Sequence, residues 1–233
     1  MKCVWEHNGD DTLLYSADCI GAFTRGETLD EAIGKMKIEV DSYLDWKNKP
    51  ATKPFEVEIV QEKSSNLQIR DADSDVIFET ETNALSQHEY MQLKELALKS
   101  AMDFHKLYLS VPKKRESCLP RRSTFYGAVP RTAQEMYEHT KNVNAYYFGE
   151  IGIDADNEGT IYECRKRGFD SLEKKQDFLD STVVEGSYNE LWSLRKMMRR
   201  FVWHDRIHAK AMYRMAVKTF GKDNVENPFK FIV

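Results

Sequence analysis

The chain has 233 residues, 41% of them hydrophobic and 31% charged, enough for one large or two small folded domains with a buried core. A net charge of -4 and a pI near 5.9 leave no global basic field for nucleic acid. There is no apolar run of a signal peptide at the N-terminus and no stretch near the roughly 18 apolar residues of a membrane helix; Cys3, Cys19, Cys118 and Cys164 are scattered without a C-x-x-C pair, so we expect a cytoplasmic protein with reduced thiols and no membrane partner.

The first sixty residues read as a small α+β unit. Leu13–Ala17 and Gly21–Arg25 are short strand candidates separated by turn residues. Thr28-Leu29-Asp30-Glu31 is a capping box, and Leu29, Ile33, Met36, Val40 and Leu44 then recur at helical spacing. Pro50 and Pro54 break the chain. Phe55-Glu56-Val57-Glu58-Ile59-Val60 alternates apolar and acidic residues, as a strand with one wet face does.

The run Ile20-Gly21-Ala22-Phe23-Thr24-Arg25-Gly26-Glu27-Thr28-Leu29-Asp30-Glu31-Ala32-Ile33 resembles the strand-to-helix signature of HicB-like antitoxin domains, over about residues 1–62. The resemblance implies a module that partners a small RNA-cleaving toxin. Members often carry Pro-Gly-Cys where this chain has Ile20-Gly21-Ala22, and a purely structural or dimerising module fits the same residues.

Residues 63–85 are polar and read as a linker with one short strand at Val76-Ile77-Phe78. Asp71-Ala72-Asp73-Ser74-Asp75 has the acidic spacing of a calcium loop but neither its glycine nor its distal glutamate, so a solvated turn is preferred. Four helices are expected in residues 86–233. Capping boxes at Ser86-Gln87-His88-Glu89 and Thr132-Ala133-Gln134-Glu135 open helices to about Val111 and Ile151, Asp170-Ser171-Leu172-Glu173 opens one to about Thr182, and Ser187-Tyr188-Asn189-Glu190 opens the last, to a cap near Gly221. Amphipathic helices in this order predict an all-α four-helix up-down bundle behind the α+β domain.

Three histidines stand out. His204 and His208 are four residues apart and share one helical face, the face of Leu194, Met197, Phe201, Met212 and Met215, with Arg195, Arg199, Arg206 and Lys210 opposite. On the second helix of the bundle Met136, Val143, Tyr146 and Tyr147 make the apolar face, with His139 at its centre. The pattern predicts that all three point inward. Buried imidazoles need partners for both nitrogens, and a shared divalent metal supplies one to each ring and keeps a coordination position open. Three separate core histidines are the competing reading. Candidate supporting residues are Glu138, Asn142, Tyr146 and Asp205; Glu150 is three turns from His139, and His105 reads as a satisfied core histidine.

Residues 86–233 resemble the DinB-like metal-binding bundles, through Ala133-Gln134-Glu135-Met136-Tyr137-Glu138-His139 and the segment from Leu194 to His208. The resemblance implies a triad of His139, His204 and His208 holding zinc, nickel or iron, with thiol-dependent transferases or isomerases among its members. A metal on three neutral imidazoles activates water or a low-molecular-weight thiol, so a metal-dependent thiol transferase, isomerase or hydrolase acting on a small-molecule substrate is the leading expectation. The rival is a non-enzymatic, antitoxin-like scaffold for a toxin-like protein partner. Homodimerisation through either part fits the sequence. Lys113-Lys114-Arg115 and Arg121-Arg122, followed by Phe125-Tyr126, can hold RNA or an anionic thiol cofactor; a solvated loop is preferred.

Overall fold

The computed structural model describes residues 1–71, 73–124 and 127–232, Arg70 in its backbone alone. Four strands open the chain: β1 (Lys2–His7), β2 (Thr12–Ser16), β3 (Phe23–Gly26) and, after helix α1 (Leu29–Trp46), β4 (Glu58–Ser64). They form one sheet in the order β3-β2-β1-β4. The two hairpin pairings are antiparallel, while β4 returns parallel to β1 after the α1 crossover. β1 was not foreseen. The expected strand at 55–60 begins three residues later and runs to Ser64.

Thr28 caps α1 as expected, accepting from the Glu31 amide at 3.2 Å, and the Glu31 carboxylate reaches back to the Glu27 amide. α1 packs on β2 and β3. Every residue of β2 is buried, so both faces of the sheet are covered. Leu14 and Cys3 belong to a core shared with Met36 and Val40 of α1. Leu13, Tyr15 and Phe23 on the other face meet Ile69, Val76, Phe78 and Trp203. Val76-Ile77-Phe78 forms no strand; Val76 and Phe78 act as plugs on the outer sheet face.

The remaining elements are α2 (Gln87–Ser110), a two-residue hairpin β5 (Ser123–Thr124) and β6 (Gly127–Ala128), α3 (Ala133–Glu150), α4 (Ile161–Leu172), a second small hairpin β7 (Val184–Glu185) and β8 (Leu191–Trp192), and α5 (Leu194–Phe220). The boxes at Ser86 and Thr132 cap α2 and α3. The third helix differs from expectation. Thr160 caps it, with Glu163 closing the box, and Asp170-Ser171-Leu172 lies in its last turn rather than its first. The last helix starts at Leu194 behind Ser193, because Tyr188 and Asn189 adopt positive φ in a turn that tucks Trp192 into the core.

α2 packs against α3, α4 and α5, and α3 packs against α4 and α5. Phe104, Phe148, Phe169, Phe201 and Met212 from these helices belong to the same hydrophobic cluster as Leu14 and Met36 of the N-terminal part. Gly21 marks the closest approach: at φ +90°, a Cβ there would sit 2.4 Å from Cγ1 of Val202. The fold is therefore mixed α+β, a four-stranded sheet with one helix followed by helices, and α5 is seated against both parts. Among the described residues no helix is long and apolar enough to cross a membrane.

Gly168 of α4 is set against the Phe148 ring, where an added Cβ would fall 2.1–2.6 Å from three ring atoms. That ring is wedged between Phe169 and Phe201, with centroids 5.3 and 5.2 Å away, and has no room to retreat. Gly168→Ala is therefore expected to lower stability by about 1–3 kcal/mol in urea unfolding, although alanine is the better helix former. An unchanged or higher midpoint would show that the α3–α4 contact is loose.

Candidate metal centre

The structure brings His139, His204 and His208 together. Ring centroids are 5.1 Å apart for His139–His204, 4.6 Å for His139–His208 and 4.4 Å for His204–His208. One nitrogen from each ring lies within 4.8 Å of the other two. A tetrahedral ion with nitrogens at 2.0–2.1 Å sets them roughly 3.3 Å apart, so small rotamer changes close the set.

The two helices place these rings differently. α3 buries Met136, Tyr137, Thr140, Asn144, Tyr147 and Phe148, an arc centred to one side of His139. His139 is thus exposed at the rim, not at the centre of the apolar face as expected. His204 is 7% exposed and His208 is partly buried, so the cluster is deep on its α5 side and open on its α3 side. Burial pushes all three imidazoles down. His208 is pushed to about 3 by burial and by His139. His204 falls well below the usual range through burial, the other two histidines, and the positive Arg200 and Arg165. The rings are consequently neutral, with lone pairs free, at ordinary pH.

Nδ1 of His204 is buried without a hydrogen-bond partner. Buried polar atoms are rarely left so, and a metal ion satisfies such a nitrogen. Donors made only of imidazole suit zinc, nickel or iron rather than calcium or magnesium, which take oxygen. Among the described residues this is the single group of three or more His, Cys, Asp or Glu placed to hold an ion.

The expected supporting residues are otherwise engaged. Asp205 is fully buried and bidentate to Arg165, at 2.5 and 2.9 Å, so it turns from the imidazoles. Glu138 pairs with Lys141 at the surface. Asn142 is exposed, and its carbonyl accepts from Asn157. The Tyr146 hydroxyl is pushed up by burial and by Glu150, whose carboxylate also accepts from the Ser187 amide at 2.7 Å. No imidazole of the triad is hydrogen-bonded to any of them among the described residues. His105 bonds the Tyr137 hydroxyl at 2.8 Å, as a satisfied core histidine does.

Of the groups that do surround the site, sequence reasoning placed Tyr147 on the His139 face without giving it a role, and missed Arg200. The Tyr147 ring lies 6.0 Å from that of His204. Arg200 is one turn before His204 on the same face, an i, i+4 spacing that was readable in the sequence. Arg199 and Arg206, read as polar residues opposite the apolar stripe, are buried and paired with Glu81 and Glu39. In the acidic run, Asp71 pairs with Arg122 and Asp75 lies 3.9 Å from Lys63, while Ala72 lies outside the described residues. Of the basic loop, Lys113 pairs with Glu116, Lys114 donates to the Val111 carbonyl and Arg115 bonds Gln134. Phe125 and Tyr126 lie outside the described residues. All four cysteines are free thiols.

Compared with family models, curated proteins and solved structures, the chain matches none.

Two outcomes follow for the metal-free protein. Asp205→Ala strands a buried Arg165 and is expected to cost roughly 3–5 kcal/mol in urea unfolding; a cost below about 1 kcal/mol would mean the pair is solvated. The depressed histidines set a pH dependence. Below about 6.5 the unfolded chain binds protons that the folded chain refuses, so stability is complete above that value and falls as pH drops toward the folded pKa of His208, near 3. His208→Gln should flatten this slope between pH 7 and 4; parallel slopes for the two proteins would contradict the assignment.

Proposed function

We propose that this chain is a metal-dependent enzyme that holds one divalent ion through His139, His204 and His208 and acts on a small molecule, with a low-molecular-weight thiol or water as the activated group. The observation that carries the reading is the convergence of three neutral imidazoles from two helices, one bearing a buried nitrogen with no other partner. Bound zinc, nickel or iron supplies Lewis acidity and lowers the pKa of a ligand in the remaining position. His204 anchors from the core, His208 sits one turn beyond it, and His139 closes the set from the rim. Its exposure leaves a route for a ligand to enter. Transfer, isomerisation and hydrolysis all use such a centre.

On this reading α2, α3, α4 and α5 form a DinB-like four-helix bundle of up-down topology, supported by their mutual packing. The sheet and α1 form a HicB-like module that serves the bundle structurally, supported by the core they share. Free thiols at Cys3, Cys19 and Cys164, all buried, accord with a reducing compartment such as the cytoplasm. The scaffold reading draws on a different feature, a cleft of about 570 Å³ between β4 and α2 lined by Val60, Gln61, Leu93 and Leu96.

Equilibrium dialysis of tag-free protein against zinc tests the proposal. Wild type is expected to bind about one equivalent, and His204→Ala or His139→Ala to bind none tightly, since two imidazoles rarely retain the ion. Chelation of the loaded protein should lower its melting temperature, because a ligand bound only to the folded state stabilises it. Zinc uptake equal in all three proteins would overturn the site. No uptake by wild type would shift weight to the scaffold.

A further inference from the structure

We infer that Arg200 is a specificity-determining residue of this site, binding the carboxylate of a substrate whose reacting group meets the metal. The inference deepens the metal reading and rests on it.

Lys196, Arg200, His204 and His208 recur every four residues and so lie along one side of α5. The Tyr147 ring of α3 ties the middle two together: it is 6.0 Å from the His204 ring and 5.5 Å from Cζ of Arg200. Trp203 and Trp192 stand 4.9 and 5.7 Å from the same guanidinium. The cation is held among aromatic faces, one turn from the proposed ion.

Its neighbours show what it lacks. Arg195, Lys196, Arg199 and Arg206 of α5 each reach a carboxylate within 3.1 Å, from Glu89, Glu190, Glu81 and Glu39. Arg200 reaches none within ion-pair distance among the described residues; Glu190 and Glu6 act on it only through space. One guanidinium nitrogen donates to the Ser74 carbonyl at 2.7 Å. Nε is buried with no partner, and so is Nε1 of the adjacent Trp192; Arg199 and Arg206 also carry unpartnered nitrogens, but each of those cations has a carboxylate and Arg200 has none among the described residues. An arginine stays charged at any ordinary pH, and a half-buried one with a spare donor calls for an anionic acceptor. A planar carboxylate matches its fork.

The charge count around the histidines agrees. Three neutral imidazoles leave the charge of a divalent ion uncompensated, and the two acids next to the histidines in sequence, Asp205 and Glu138, are engaged by Arg165 and Lys141. An anionic substrate supplies the balance. The guanidinium is also pre-positioned. Ser74, its backbone partner, is fixed by hydrogen bonds from its hydroxyl to Glu6 at 2.6 Å and from the Tyr15 hydroxyl at 2.8 Å. The N-terminal sheet thereby sets the geometry of a group serving the helical part.

The test uses full-length protein loaded with cobalt(II), whose thiolate charge-transfer band reports a bound thiol. Titration with 3-mercaptopropionate and with 2-mercaptoethanol compares the same metal-binding group with and without a carboxylate. Wild type is expected to prefer mercaptopropionate by about tenfold or more, the size of one charge-assisted hydrogen bond. Arg200→Gln should remove the preference while leaving cobalt stoichiometry and mercaptoethanol affinity unchanged, and Arg200→Lys, which keeps the charge, should retain part of it. Equal affinities in wild type, or a preference that survives Arg200→Gln, would overturn the inference and leave the metal reading standing. Should the glutamine variant fail to fold, a lysine variant whose preference falls clearly below that of wild type supports the inference, and a lysine variant with the full wild-type preference, or a wild type with none, overturns it. Failure of wild type to take up cobalt overturns the metal reading, and this one with it.

Discussion

The rotation of α5 about its own axis governs the arrangement, and buried ion pairs fix it. Arg206 reaches Glu39 of α1, Arg199 reaches Glu81 of the segment before α2, and Asp205 reaches Arg165 of α4. Each partner belongs to a different part of the chain. A helix that turned by one residue, about 100°, would break all three pairs and leave Glu39, Glu81 and Arg165 buried without their partners, at several kcal/mol each. Such pairs add little net stability over apolar replacements. What they provide is a single orientation, since apolar contacts alone tolerate slippage.

That orientation aims His204 and His208. Arg199 and Arg206 lie on the side of α5 roughly opposite His204, so seating them against the N-terminal part turns the imidazoles toward α3, where His139 waits at the rim. Trp203 follows from the same rotation, inserting between Tyr15 and Phe23 of the sheet with ring centroids about 6 Å away. The sheet and the helices share a hydrophobic cluster, and the polar chain from Glu6 through Ser74 to Arg200 crosses between them. The surroundings of the histidines are therefore a product of both halves of the chain.

Local rules carried the reading a long way. Thr28, Ser86 and Thr132 capped helices because a hydroxyl with an acid three residues on satisfies first-turn amides wherever it occurs. The same rule misled at Asp170 and Ser187, where the pattern recurs by chance; the true box, Thr160 with Glu163, follows the same spacing and was passed over. The i, i+4 spacing of His204 and His208 was legible, and so was their meeting with His139, though not its exposure, because the edge of a helix face is set by neighbours rather than by periodicity. The roles of Arg199, Arg206 and Asp205 were hidden. Charged residues are ordinarily solvated, and partners more than a hundred positions away, such as Glu81 and Glu39, leave no local trace. β1 was hidden as well, since Trp5, Glu6 and His7 break a simple alternation while the buried Glu6 is satisfied by Tyr15 and Ser74.

The most direct measurement of the central claim is a crystal structure of zinc-soaked protein with anomalous data at the zinc edge. The account predicts one anomalous peak, bound by nitrogens of His139, His204 and His208 at about 2.0–2.1 Å, with the remaining position filled by solvent or a small ligand. A peak elsewhere, a fourth protein side chain closing the coordination sphere, or no peak between α3 and α5 would contradict it.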